Sequence, residues 1–406
     1  MLRFLAPLLV LCTCAPAARP HDFPEPVDTR TQPIELQQRR SYPFDQGTLT
    51  FDNDFDGARL NGISQRGIDT FVATILPENT PINPSPWYAM RVTAERPREV
   101  TLRLTYPPQT RHRYYPKISS DRTNWTAADS TDVAYNSDST SLDVRLDLPA
   151  GTTYVAGQEV INSSDVLQWL TTFRQPYVRI DEAGRSKLGR VIPVMRMAGE
   201  GRYGHRPMIV LFSRQHPPEV TGFLALQAFL DGIVEHPRVD EFLDRYQLMV
   251  FPLLNPDGVD LGHWRHTAGG IDSNRDWAYY RQPEARQVAD YVVEKARQNE
   301  TEVILGIDFH STWNDVYYTF DAATPPSVLP GFKDAWLREI EQRIGGGFTV
   351  NEKPGPVGRP TSSGWFKTQF NAEGITYEIG DNTDRAFVER KGRASAAALV
   401  ELLLAR

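Results

Sequence analysis

Cysteine is nearly absent from this chain of 406 residues: it has two, Cys12 and Cys14, both close to the N-terminus. Everything after them is without disulfides, which excludes a small fold stapled by cross-links. Lysine is scarce too, at seven of the 44 basic residues. After the N-terminus no run of 18 or more apolar residues occurs, so no apolar helix of membrane-spanning length is expected there. Excess positive charge is missing: a net charge of −7 excludes a nucleic-acid surface as the main business of the protein. There is no Gly-x-Ser-x-Gly elbow, which argues against a serine hydrolase of that design, and no internal repeat.

What is present begins with the first twenty residues, MLRFLAPLLVLCTCAPAARP. Arg3, the apolar stretch Phe4 to Leu11 and Ala15-Pro16-Ala17 form the basic region, apolar core and small-residue cleavage site of a secretory signal peptide, here taken as residues 1–19. Cys14 is also a candidate lipid-anchor position. Export without disulfides, in an arginine-rich chain, suggests the periplasm or cell envelope of a bacterium. Residues 20–45, rich in Pro, Gln and Arg, read as a tether. Residues 46–165 have period two: Val100, Leu102, Leu104 and Tyr106 alternate with mostly polar residues, as do Leu142, Val144, Leu146 and Leu148. Short strands of this kind predict an antiparallel β-sandwich.

Residues 166–406 change texture. Short apolar runs at 208–212, 246–254, 302–309 and 374–380 read as buried strands. Helical patterns lie between or after them: Phe223, Leu226, Leu230 and Ile233, then residues 284–298 and 393–406. The alternation predicts an α/β catalytic domain whose mixed, largely parallel central sheet is flanked by helices. Ligands in such sheets gather at the carboxyl ends of strands. His216, Asn255 to Gly258, His310 and Glu378 all stand at or near such ends.

His216-Pro217-Pro218-Glu219 is the first stretch with chemistry in it. Pro217 and Pro218 forbid the one-helix geometry of HExxH, because proline pushes its predecessor toward extended backbone. His216 is then expected on a loop, Pro218 in the first helical turn and Glu219 at the helix start. Two such ligands converge on one point and need a third, for which His310 in Asp308-Phe309-His310-Ser311 is the candidate. Two histidines and a glutamate with an open fourth position make a catalytic Zn2+ site, one ion per chain.

Further along stand Asn255-Pro256-Asp257-Gly258, Arg265, Asp272-Ser273-Asn274-Arg275-Asp276-Trp277 and Thr376-Tyr377-Glu378-Ile379-Gly380. With the HxxE and His310 segments, in this order, they resemble the zinc metallocarboxypeptidase family, whose carboxypeptidase A has this ligand set. Pro86 to Val92 and Tyr115 to Trp125 are similar to the sandwich that precedes the catalytic domain in the cytosolic-carboxypeptidase branch. The resemblance implies zinc on His216, Glu219 and His310, and Asp272 accepting the other ring N–H of His216. It implies Glu378 as general base and Arg265 as the group that stabilises the oxyanion. Asn274 and Arg275 would hold the substrate's C-terminal carboxylate, which makes an exopeptidase. The residues before Trp365, among them Thr361, Ser362, Ser363 and Gly364, should line the pocket for the C-terminal side chain, and Arg359 is a candidate partner for an acidic one.

The chain departs from the family in one respect. No tyrosine lies between Tyr318 and Tyr377, so the mobile tyrosine that digestive members carry ahead of the glutamate base has no counterpart there. Other readings are a zinc deacylase of the aspartoacylase type and a non-catalytic envelope protein that binds peptide C-termini. Peptides and peptidoglycan stem peptides are the substrates an exported carboxypeptidase would meet.

Overall fold

The computed structural model describes residues 18–406. The expected signal peptide lies outside them except for its last two residues, and Cys12 and Cys14 lie outside as well. Two stretches that alternate in the sequence pair with one another: Arg98–Thr105 and Ser141–Leu148 run antiparallel, with Val100 opposite Leu146, Leu102 opposite Val144 and Leu104 opposite Leu142. All six side chains are buried, so period two became one apolar sheet face. That sheet has five strands; a second sheet of six strands includes Ala89–Ala94 and Gly151–Ala156 and packs its Val92 and Val155 into the same core. One pair departs from the antiparallel expectation, since Thr70–Thr74 runs parallel to Arg98–Thr105.

Two differences concern the expected tether. Its last residues form a strand, Ser41–Phe44, in the six-stranded sheet. The rest has no regular structure but is strapped to the protein through backbone bonds from Glu25 to Gly358, Gln32 to Gly269 and Glu35 to Glu78. Phe23 is 5% exposed. Burying such a ring is worth about 2 kcal/mol. The exposed Glu25–Arg359 ion pair contributes at most about 1 kcal/mol. Phe23 therefore anchors the arm beyond what that ion pair supplies, together with the three backbone bonds, and the polar composition around it hid an ordered segment.

The second half is an eight-stranded mixed sheet. Its order is Val178–Arg185, Val191–Met197, Gln247–Phe251, Met208–Ser213, Val303–Thr312, Glu373–Gly380, Val316–Phe320 and Glu352–Gly355. The four strands from Gln247–Phe251 to Glu373–Gly380 are mutually parallel, and antiparallel pairings flank them on both sides. Every residue of Met208–Ser213 is buried. Met208, Val210 and Phe212 pack under the helices Pro283–Gln298 and Ser362–Phe370, while Ile209 and Leu211 pack under Val220–Val234 and Arg385–Leu404. Coverage on both faces explains why these strands read as continuous apolar runs. Pro218 sits in the turn ahead of Val220–Val234 and not in its first helical turn; the Val220 N–H bonds back to the Pro218 carbonyl. At Gly222 a Cβ would lie 2.6 Å from the His310 carbonyl oxygen. That glycine lets the helix start press against the strand end.

Candidate active site

The close approach at Gly222 brings Glu219 to His310. Glu219 Oε1 lies 2.7 Å from His216 Nδ1, and Oε2 lies 2.6 Å from His310 Nδ1. One ligand atom from each residue falls within 4.8 Å of the others, and all three residues are buried. The far ring nitrogens are held: His216 Nε2 by Asp272 Oδ1 at 2.8 Å, His310 Nε2 by Asp308 Oδ2 at 2.7 Å. A ring that donates from Nε2 keeps its Nδ1 lone pair for a metal. Burial alone would raise the Glu219 carboxyl, but the two histidines hold it well below its ordinary value. Burial alone would lower His310, and the Asp308 and Glu219 charges raise it instead. Three carboxylates around two imidazoles form a cluster that favours a cation at its centre, and the donors fit zinc.

Glu378 faces this cluster from the neighbouring strand, directly paired with His310. Its Oε2 is shielded from solvent and has no hydrogen-bond partner. Burial pushes its pKa up to about 8, against the pull of the His310, Arg113 and Arg265 charges. Arg265 donates from Nε to Asp272 Oδ2 at 2.7 Å, and Asp272 thereby joins the arginine to His216. His216, Glu219, His310, Glu378 and Arg265 line a cavity of about 640 Å³, with Asp272 and Asp308 behind the two histidines.

The zinc carboxypeptidase family model matches residues 166–391. The chain belongs to the zinc carboxypeptidase family. A metallocarboxypeptidase of Pseudomonas aeruginosa, solved with (2-guanidinoethylmercapto)succinic acid, has a TM-score of 0.69 at 19% identity, covering 87% of this chain and 98% of that one. One from Burkholderia cenocepacia has a TM-score of 0.70 at 18% identity, covering 88% of this chain and 98% of that one. At such identities the likeness is one of fold, and its coverage takes in the sandwich. Among curated relatives, an uncharacterised protein of Zymomonas mobilis is 24% identical over 70% of this chain and 71% of its own length. Metallocarboxypeptidase A of Arthroderma otae is 30% identical over 32% of this chain, and the match spans 29% of the fungal protein.

In this metallocarboxypeptidase, a peptide-bond hydrolase by family, the other expected site residues are unequally free. Arg275 spends one N–H on the Asn274 carbonyl at 2.8 Å and pairs with no carboxylate among the described residues. Asn274 accepts the Ser362 N–H on Oδ1, and its amide nitrogen lies 3.2 Å from His310 Nε2. That ring nitrogen donates to Asp308 and cannot accept, so both amide hydrogens of Asn274 are left for a ligand. Thr361, Ser363 and Gly364 line the cavity, whereas Ser362 turns inward to Asp308. Arg359 is already paired, with Glu25 of the N-terminal arm at 2.6 Å.

Three groups in or behind the cavity have no role assigned by the motifs: Asp308, Arg113 and Tyr318. Asp308 sits two residues before His310 on one strand face, and that spacing was available as a signal. Arg113 comes from the sandwich, donates to Asp381 and to the Ser311 carbonyl, and lines the cavity beside His310. Tyr318 also lines it, from the strand paired with Glu373–Gly380; burial and then the Glu378 charge raise its phenol. The cavity therefore holds a phenol despite the tyrosine-free stretch after it. No signal local to Arg113 or Tyr318 announces either placement.

Proposed function

We propose that the protein is an exported, zinc-dependent carboxypeptidase that removes the C-terminal residue of peptides. The observation that carries this reading is the cavity itself: a three-residue metal cluster, an unpartnered carboxylate and an unpaired guanidinium within one space. His216, Glu219 and His310 hold the ion. When bound, zinc supplies Lewis acidity toward the scissile carbonyl and acidifies the attacking water. Arg275, helped by the amide N–H of Asn274, receives the C-terminal carboxylate and sets which peptide bond reaches the cluster. The terminal nitrogens of Arg265, free because only Nε is spent on Asp272, receive the charge that develops on the carbonyl oxygen. Glu378 takes the proton from water as its oxygen bonds to the carbonyl carbon, and gives it to the departing amine as the C–N bond breaks. Ser363 contributes to the wall facing the C-terminal side chain.

Peptides or peptidoglycan stem peptides are the substrate class. Mass spectrometry of a pool of both, incubated with the zinc-loaded protein, tests the reading beside a chelated sample and Glu378→Gln. Loss of single C-terminal residues in the first sample alone supports it. An untouched pool with zinc bound and N-acyl amino acids cleaved replaces it by a deacylase. Retention of peptides without cleavage replaces it by a binding protein.

Export has its own support. Cleavage directly after Ala15-Pro16-Ala17, two residues short of the expected boundary at 19, would make Ala18 the first residue, and its backbone nitrogen lies 2.8 Å from Asp290 Oδ1, where a terminal ammonium would form an ion pair. N-terminal sequencing of the mature protein that begins at Ala18 supports this; a start at a modified Cys14 would show a lipoprotein instead.

A further inference from the structure

The loop that carries Arg265 belongs to the catalytic half of the chain, yet the sandwich holds it. Three consecutive backbone N–H groups point at one carboxylate. Trp264 donates to Glu78 Oε2 at 2.7 Å, and Arg265 and His266 donate to Oε1 at 3.0 and 2.6 Å. Glu78 follows the strand Thr70–Thr74 and is wholly buried. Burial opposes its charge, but His263, Arg59 and the donated N–H groups prevail and hold its carboxyl below the usual value. The next residue adds two bonds: Asn79 Oδ1 accepts from His266 Nδ1 at 2.7 Å, and Nδ2 donates to the Gly270 carbonyl at 2.8 Å. The Trp264 ring lies in the sandwich core and donates from Nε1 to the Trp87 carbonyl at 3.1 Å.

Glu78 does not line the cavity, but a short covalent and hydrogen-bonded path leads from it into the site. It fixes the backbone of Arg265; Arg265 meets Asp272; Asp272 holds His216. We propose that Glu78 is a positioning residue for Arg265, so that the sandwich sets the group which receives the developing oxyanion. The proposal rests on the role given to Arg265 under the proposed function. A loop released from Glu78 would keep the ion pair to Asp272 but lose its fixed origin. Displacements near 1 Å at a reacting centre cost about 10²-fold in rate. Binding of the C-terminal carboxylate by Arg275 does not pass through this loop. The loss should therefore fall on kcat and leave KM nearly unchanged. A residue that only joins the two halves would alter stability without that split.

The test uses full-length, zinc-loaded wild type, Glu78→Gln, Asn79→Ala, Arg265→Ala and the Glu78→Gln/Arg265→Ala double variant. Steady-state kinetics on one peptide are read together with amide hydrogen exchange over residues 262–268. The expected results for Glu78→Gln are a kcat about 10²-fold lower, a KM within about threefold, and faster exchange confined to the loop. The double variant should be no slower than Arg265→Ala alone, because the glutamate acts through the arginine. Asn79→Ala, a milder change, should show a smaller loss of the same kind and decides the matter should Glu78→Gln not fold. A wild-type kcat in a folded variant, multiplying losses in the double variant, or unchanged loop exchange would each overturn the proposal. If the wild type cleaves no peptide, the proposed function falls. Loop exchange then judges Glu78 by itself, faster exchange upholding its hold on the loop and unchanged exchange overturning it.

Discussion

Glu284→Gln should stabilise the protein at alkaline pH and do nothing at acid pH. Glu284 stands in the first turn of the helix Pro283–Gln298 and is 1% exposed. Its Oε1 accepts the Lys187 N–H at 3.0 Å, while Oε2 is buried without a partner. Burial pushes the carboxyl up to about 7 from an ordinary value of 4.5, with the Asp257 and Asp276 charges adding to the shift. Below pH 4 the group is protonated in both folded and unfolded chains, so it costs nothing. Between 4.5 and 7 the folded state binds more protons, and stability falls as pH rises. Above pH 7 the full cost is present, about 3 kcal/mol at 1.36 kcal/mol per pH unit. Gln keeps the acceptor for Lys187 and removes the charge. Urea denaturation of both zinc-loaded proteins at pH 4, 6 and 8 reads the difference, in which all other titrating groups cancel. The variant should gain by about 3 kcal/mol between pH 4 and pH 8. A difference that stays flat across that range would refute the reasoning.

Other consequences of the site and the core can be measured as directly. Asp272→Asn removes the carboxylate shared by His216 and Arg265, and should weaken zinc binding about 10–100-fold in a chelator competition. Arg275→Ala should lower kcat/KM for peptides with a free C-terminus about 10–100-fold, the worth of one charged hydrogen bond. Leu102→Ala, at a fully buried position of the sandwich core, should cost about 2–5 kcal/mol in denaturant unfolding. Removing zinc by chelation should lower the thermal midpoint as well as abolish hydrolysis, and restored zinc should reverse both.

The grouping of His216, Glu219 and His310 was legible because its signals are local. Two prolines between His216 and Glu219 say that the pair leaves a strand and enters a helix, and the apolar run before His310 puts it near the end of a strand, which continues to Thr312. The sandwich strands at 98–105 and 141–148 were legible for the same reason, since alternation survives in any register. What could not be read depends on contacts across long separations. Nothing in the segment around Glu78 announces that its carboxylate will collect three N–H groups from residues 264–266. Arg113 looks like one more arginine in an arginine-rich chain, and only the packing of the two halves carries it to Asp381. The order of the N-terminal arm is invisible to composition, which averages over residues, whereas one buried ring, Phe23, and three backbone bonds fasten it. Tyr318 precedes the tyrosine-free stretch ahead of Glu378, and only the pairing of its strand places it on the cavity wall.

The central claim is that Arg275 and the metal cluster together select the last peptide bond. It is tested most directly by following one peptide and its C-terminally amidated twin by mass spectrometry with the zinc-loaded protein. The account predicts stepwise loss of single residues from the free C-terminus and an intact amidated peptide. Internal fragments, or equal cleavage of the amidated twin, would contradict it.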